Sequence, residues 1–102
     1  MSQTLKDIVK TVKIELALMK QERQEGRSVA ECVERHMANI LMGIYNAAEQ
    51  MKHRGHYKAL RTLLGETVQF GVVSVADLFV RKMVLNYLEK KAKGLPDVRN
   101  TA

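Results

Sequence analysis

Cys32 and His36 stand four residues apart, the spacing at which a helix turns two metal ligands to one face. His53 and His56 could supply two more donors. Geometry works against such a site. Cys32 and His53 are 21 residues apart, which is about 30 Å along one helix at 1.5 Å per residue. The four could converge only across an antiparallel dimer. A buried thiol and an edge histidine are the expectation, with no metal and no cofactor.

Catalysis has no better footing. The chain has no glycine-rich phosphate loop, no cluster of carboxylates on an apolar face and no nucleophile beside an evident base. Gly43 and Gly71 sit alone in apolar stretches, where close helix packing explains them better than chemistry. A non-enzymatic protein is expected.

Charge is more informative. The chain carries 17 basic and 11 acidic side chains, a net +6, and the excess is local. Residues 52–64, KHRGHYKALRTLL, hold four basic groups and no acid. Lys52, Arg54, Lys58 and Arg61 supply the charge, with His56 and Tyr57 between them. Such a block can attract phosphate or an acidic protein surface, and Tyr57 could stack on a base. It can equally be a solvated corner between helices. A helix-turn-helix reading of residues 56–79 has the glycine that the motif needs, but the segment that follows is apolar where base contacts belong.

A second cationic feature lies in the first 25 residues. Lys6, Lys10, Lys13 and Lys20 form a stripe roughly 80° wide on a helical wheel. Beside it Leu5, Ile8, Val9, Val12, Leu16 and Met19 fall within about 100°. Ile14 and Leu18 lie beyond the lysines and hint at a second contact surface.

The elements that would carry these side chains begin with a near-repeat. SVAECVERHM at 28–37 returns as SVADLFVRKM at 74–83, with five of ten positions identical. Ser28 with Glu31 makes a capping box, and Ser74 with Asp77 a weaker one. Likeness fades after the caps, so common helix-start chemistry accounts for it better than an old duplication. Four helices are expected, over 3–24, 28–53, 56–64 and 67–93, with Gly26, Gly55, Gly65 and Gly94 as stops. The second is cleanly two-faced. The last is apolar nearly all round through VQFGVVSVADLFV. A β reading of 67–73 stays open because Val and Phe favour strands, but helical spacing continues into RKMVLNYLEKKAK.

These features predict an all-α fold: a small bundle of about four helices in one domain, 1–94, with a tail at 95–102. A helix apolar on most sides needs cover on most sides, so dimerisation or partner docking should complete the bundle. One cysteine argues against a disulfide framework. No uncharged run approaches the roughly 18 residues of a membrane span, and a cytoplasmic location is expected. The functional expectation is a small basic accessory or regulatory protein that docks on a larger partner with an acidic surface, within DNA- or RNA-handling machinery. Lys6, Lys10, Lys13, Lys20 and the 52–61 corner would set its orientation. The alternative is direct nucleic-acid binding by a basic helical dimer.

Overall fold

The computed structural model describes residues 4–97; the start of the first expected helix at residue 3 and the tail positions 98–102 lie outside them. Four helices follow in order: α1 Leu5–Gln24, α2 Val29–Glu49, α3 Arg54–Phe70 and α4 Val75–Ala92. No strand occurs among the described residues, so the all-α expectation stands and the β reading of 67–73 gives way to helix and turn.

Local chemistry sets most boundaries. The Ser28 hydroxyl accepts the Glu31 N–H at 3.1 Å, and the Ser74 hydroxyl accepts the Asp77 N–H at 3.0 Å. Both repeated serines are therefore N-caps, which removes one orphan donor from each helix. The α1–α2 turn closes with the Gly26 N–H on the Arg23 carbonyl and the Arg27 N–H on the Glu22 carbonyl. Gly26 sits at φ 107°, the left-handed conformation this closure requires.

Four boundaries differ from expectation. The second helix ends at Glu49, not at 53. Gly55 lies in the first turn of α3 and stops nothing. The third helix runs past Gly65 to Phe70, because a glycine costs only about 1 kcal/mol in a helix interior and the turns on either side of it bury Leu63, Leu64 and Thr67. The break comes at Gly71, where φ is 137°. Gly71 is thus a helix end, while Gly43 is the close-packing glycine. The expected 67–93 helix falls in two elements, the end of α3 and α4, joined by residues 71–74.

α2 lies at the centre: α1 packs chiefly against it, and α3 and α4 pack against it and each other. The core takes Ile8, Val12, Leu16 and Met19 from α1, and Met37, Ile40, Leu41, Ile44, Ala47 and Ala48 from α2. Leu60, Leu63, Leu64 and Leu88 close it from α3 and α4. At the far end Tyr87 stacks on Tyr45 with ring centres 4.5 Å apart, and its hydroxyl donates to Glu49. That hydrogen bond raises the Tyr87 pKa well above the ordinary phenol value and keeps it a donor.

The near-repeat leads to opposite outcomes. Met37 is buried and Met83 is exposed. Arg35 stands on the surface, where it reaches Glu22, whereas Arg81 is wholly buried.

Candidate partner-binding surfaces

Folding divides the basic residues between two grooves on either side of α3. Arg54, Tyr57, Lys58 and Arg61 recur at helical spacing on the side facing α4. There they meet Lys90 and Lys93 from the end of α4, with Glu66 and Glu89 also lining the cleft. Two open volumes of about 680 and 570 Å³ share Tyr57 and Glu89 and so form one channel. Lys90 and Lys93 were not among the expected site residues. Only the packing of α4 on α3 brings them beside the 52–61 block. Arg54 is tied down: its backbone N–H donates to the Pro96 carbonyl at 2.9 Å and its Nε to the Leu95 carbonyl at 3.2 Å.

On the other side of α3, an open groove of about 420 Å³ runs between α1 and α3. Leu5, Val9 and Ala59 form its floor, and Lys6, Lys10, Lys13 and His56 its rim. No acidic side chain lines it. The sequence separates the lysine stripe from His56 by more than forty residues, and the structure puts them on one groove. Lys20 is elsewhere: its Nζ lies 2.8 Å from Glu66, an exposed ion pair joining α1 to α3. Lys52 sits in the α2–α3 turn and donates its backbone N–H to His56 Nδ1 at 3.1 Å.

That hydrogen bond fixes the state of His56. A backbone N–H only donates, so Nδ1 must accept and the ring is neutral with its proton on Nε2. Burial pushes its pKa down, helped by His53 and Lys52. His53 Nδ1 likewise accepts the Gly55 N–H at 3.1 Å as the N-cap of α3, and the two rings lie tilted by 33° with centres 3.7 Å apart. The corner's charge therefore comes from its lysines and arginines.

His36 belongs to a different arrangement, and the edge position expected for it is wrong. It is buried at the α1–α2 interface, with Nδ1 2.9 Å from Glu15 Oε1 and Nε2 2.8 Å from Glu22 Oε2. Asn39 also donates to Glu15, and Arg35 and Arg27 pair with Glu22. Two carboxylates can both be satisfied only by an imidazolium donating from both nitrogens. Burial alone would lower its pKa, but the hydrogen bonds it donates to Glu15 and Glu22 outweigh it and raise the value. Glu15 and Glu22 are lowered in turn, chiefly by hydrogen bonds to His36 and to Arg35 respectively. With both ring nitrogens so engaged and Cys32 fully buried, the pair is committed to packing. No group of three or more His, Cys, Asp or Glu suited to a metal occurs among the described residues.

Opposite signs follow for the two histidines. His36 adds stability that is fully present below its unfolded pKa of about 6.5 and is lost as pH rises through its higher folded value. Glu15 and Glu22 add stability present above about 4.5 and lost as pH falls through their lowered values. His56 costs stability as pH falls below about 6.5. Imidazole NMR titration should find His36 charging above 6.5 and His56 below it. The stability gap between wild type and His36→Gln should shrink as pH rises from 6.5. A gap that grows with pH would mean His36 is neutral in its pocket.

A third surface has little charge. α4 turns Leu78, Arg81, Val84, Leu85 and Leu88 inward, while Val75, Phe79, Val80 and Met83 are exposed. Phe79 is 62% exposed and Val75 85%, beside an arginine with no exposure at all. The last helix is thus apolar on two sides, as its sequence suggests, and one side is uncovered within the chain. Ile14 and Leu18 are likewise exposed on α1.

No helix among the described residues is long and apolar enough to cross a membrane. Set against protein-family models, curated proteins and solved structures, the chain matches none.

Proposed function

We propose that this protein is a non-enzymatic docking module whose α1–α3 groove binds an acidic amphipathic segment of a larger protein. The observation that carries the reading is the rim of Lys6, Lys10 and Lys13 over an apolar floor of Leu5, Val9 and Ala59, with no carboxylate in the lining. Apolar side chains of a partner helix would fill the floor, and its acidic flank would meet the rim. Burial supplies affinity in such contacts, while charge steers the encounter and sets orientation. A partner from DNA- or RNA-handling machinery suits the overall basicity.

Direct nucleic-acid binding is the second reading, and the α3–α4 channel favours it. Arg54, Lys58, Arg61, Lys90 and Lys93 flank Tyr57 there. Glu66 and Glu89 in the same lining weaken its appeal to a phosphate backbone.

A fluorescence titration separates the two. The probes are an amphipathic peptide with a glutamate flank, its lysine-flanked counterpart, and labelled single-stranded and duplex oligonucleotides at several salt concentrations. The acidic peptide should bind and its counterpart should not. Reversing Lys6, Lys10 and Lys13 to Glu should weaken binding about tenfold or more, which is about 1.4 kcal/mol. The proposal fails if the acidic peptide does not bind. It is replaced by the second reading if oligonucleotides bind at physiological salt and Ala at Lys52, Arg54, Lys58 and Arg61 abolishes it.

A further inference from the structure

The uncovered face of α4 has a shape that fits a second copy of itself. Val75, Phe79 and Met83 recur every four residues and make one outward stripe, with Ala76 and Val80 beside it and Val72 and Val73 continuing it at the turn before the helix. The inward face is already occupied by the core and by the Asp77–Arg81 pair, so rotating α4 cannot bury the stripe without exposing that pair. Among the described residues nothing covers it.

We infer that two copies pair through α4, antiparallel, about a two-fold axis at Phe79. An isologous contact must be complementary to itself, and this stripe is. With Phe79 on the axis, Val75 of one copy meets Met83 of the other. The two Lys82 side chains lie three residues to either side of the axis, about 9 Å apart along the seam at 1.5 Å per residue, so they do not face each other directly. A parallel pairing would instead set Lys82 against Lys82 and Lys90 against Lys90. Size agrees as well. With Val75 85%, Phe79 62% and Met83 54% exposed, the stripe reaches the upper end of the ~300–600 Å² apolar patch of a typical monomer and approaches the ~800 Å² per partner of a stable interface. An acidic partner has less to hold on this stripe, whose only cation is Lys82 before Lys90 at its far end. The pairing involves a different surface from the α1–α3 groove and stands or falls separately from it.

Sedimentation equilibrium tests the pairing, and cysteine cross-linking its direction. The wild-type chain should be a dimer, and Phe79→Glu should make it a monomer with unchanged helical circular dichroism, since that side chain supports nothing inside its own chain. Under mild oxidation the Val75→Cys/Met83→Cys double variant should cross-link between copies, while Val75→Cys alone should not; Cys32 is buried and does not compete. A wild type that stays monomeric across the concentration range would overturn the inference. So would a Phe79→Glu variant that remains a folded dimer, or Val75→Cys alone cross-linking as fast as the double variant.

Discussion

Arg81→Ala lowers the unfolding free energy by about 3–5 kcal/mol, the usual cost of removing one member of a buried ion pair. Arg81 has no exposed surface. Its Nε lies 3.1 Å from Asp77 Oδ1 and its Nη2 2.7 Å from Oδ2, a two-pronged contact one helical turn apart on α4. Nη1 donates to the Thr67 carbonyl in the last turns of α3. One guanidinium thus satisfies a carbonyl near the C-terminus of α3 and the acid in the first turn of α4, each a placement the helix dipole favours. Alanine leaves Asp77 charged in a pocket where it is almost inaccessible and leaves the Thr67 carbonyl without this donor. Lysine keeps the charge but not the planar fork, so Arg81→Lys should lose an intermediate amount. The Asp77→Leu/Arg81→Met variant should recover most of the loss, because a well-packed apolar pair avoids the desolvation that the ion pair carries. Urea denaturation at fixed protein concentration, which holds any association constant, reads all three. A loss under about 1 kcal/mol for Arg81→Ala would mean that the pair is solvated, as surface pairs are.

The arginine shows where sequence reading reaches and where it stops. Asp77 four residues before Arg81 is a visible acid-first pair, and the spacing alone predicts contact. That the pair is buried, while Phe79 between them faces outward, depends on which side of α4 meets α2 and α3. Periodicity cannot tell, because both sides are apolar. In α1 and α2, where one face is polar, the same reasoning places Val12, Leu16, Ile40 and Ile44 in the core correctly.

Glycines divide along similar lines. Gly26 and Gly71 end helices at positive φ, while Gly65 lies inside one. A Cβ at Gly65 would meet nothing within 4 Å, so no packing requirement reveals its role, and the burial of Leu64 and Thr67 around it decides that the helix continues. The grooves were the least legible feature. Each lysine of the α1 stripe was visible, but its meeting with His56 and Ala59 requires α1 to lie along α3. The Glu15–His36–Glu22 bridge likewise needs α1 and α2 in register, and glutamates seven apart on α1 gave the only hint.

Gly43→Val should cost about 3 kcal/mol, the upper end of what overpacking a core position usually costs. Val12 of α1 lies over Gly43 of α2. A Cβ built at Gly43 would come 2.4 Å from Val12 Cγ2. Val12 is 2% exposed, and a β-branched residue in a helix has essentially one rotamer, so its methyl cannot swing away and the helices must part. Gly43→Ala sets two effects against each other: alanine gains about 1 kcal/mol in helix propensity, and the clash takes more than that back, for a net loss of about 1–2 kcal/mol. Val12→Ala alone should lose about 2 kcal/mol through the cavity it leaves. Combining Val12→Ala with Gly43→Ala removes both γ-methyl groups of Val12, returns one methyl from the Gly43 side and so relieves the clash. The double variant should therefore be more stable than the sum of the single losses by 1 kcal/mol or more, the coupling expected of residues in direct contact. Additive losses would show that the helices separate freely at this point.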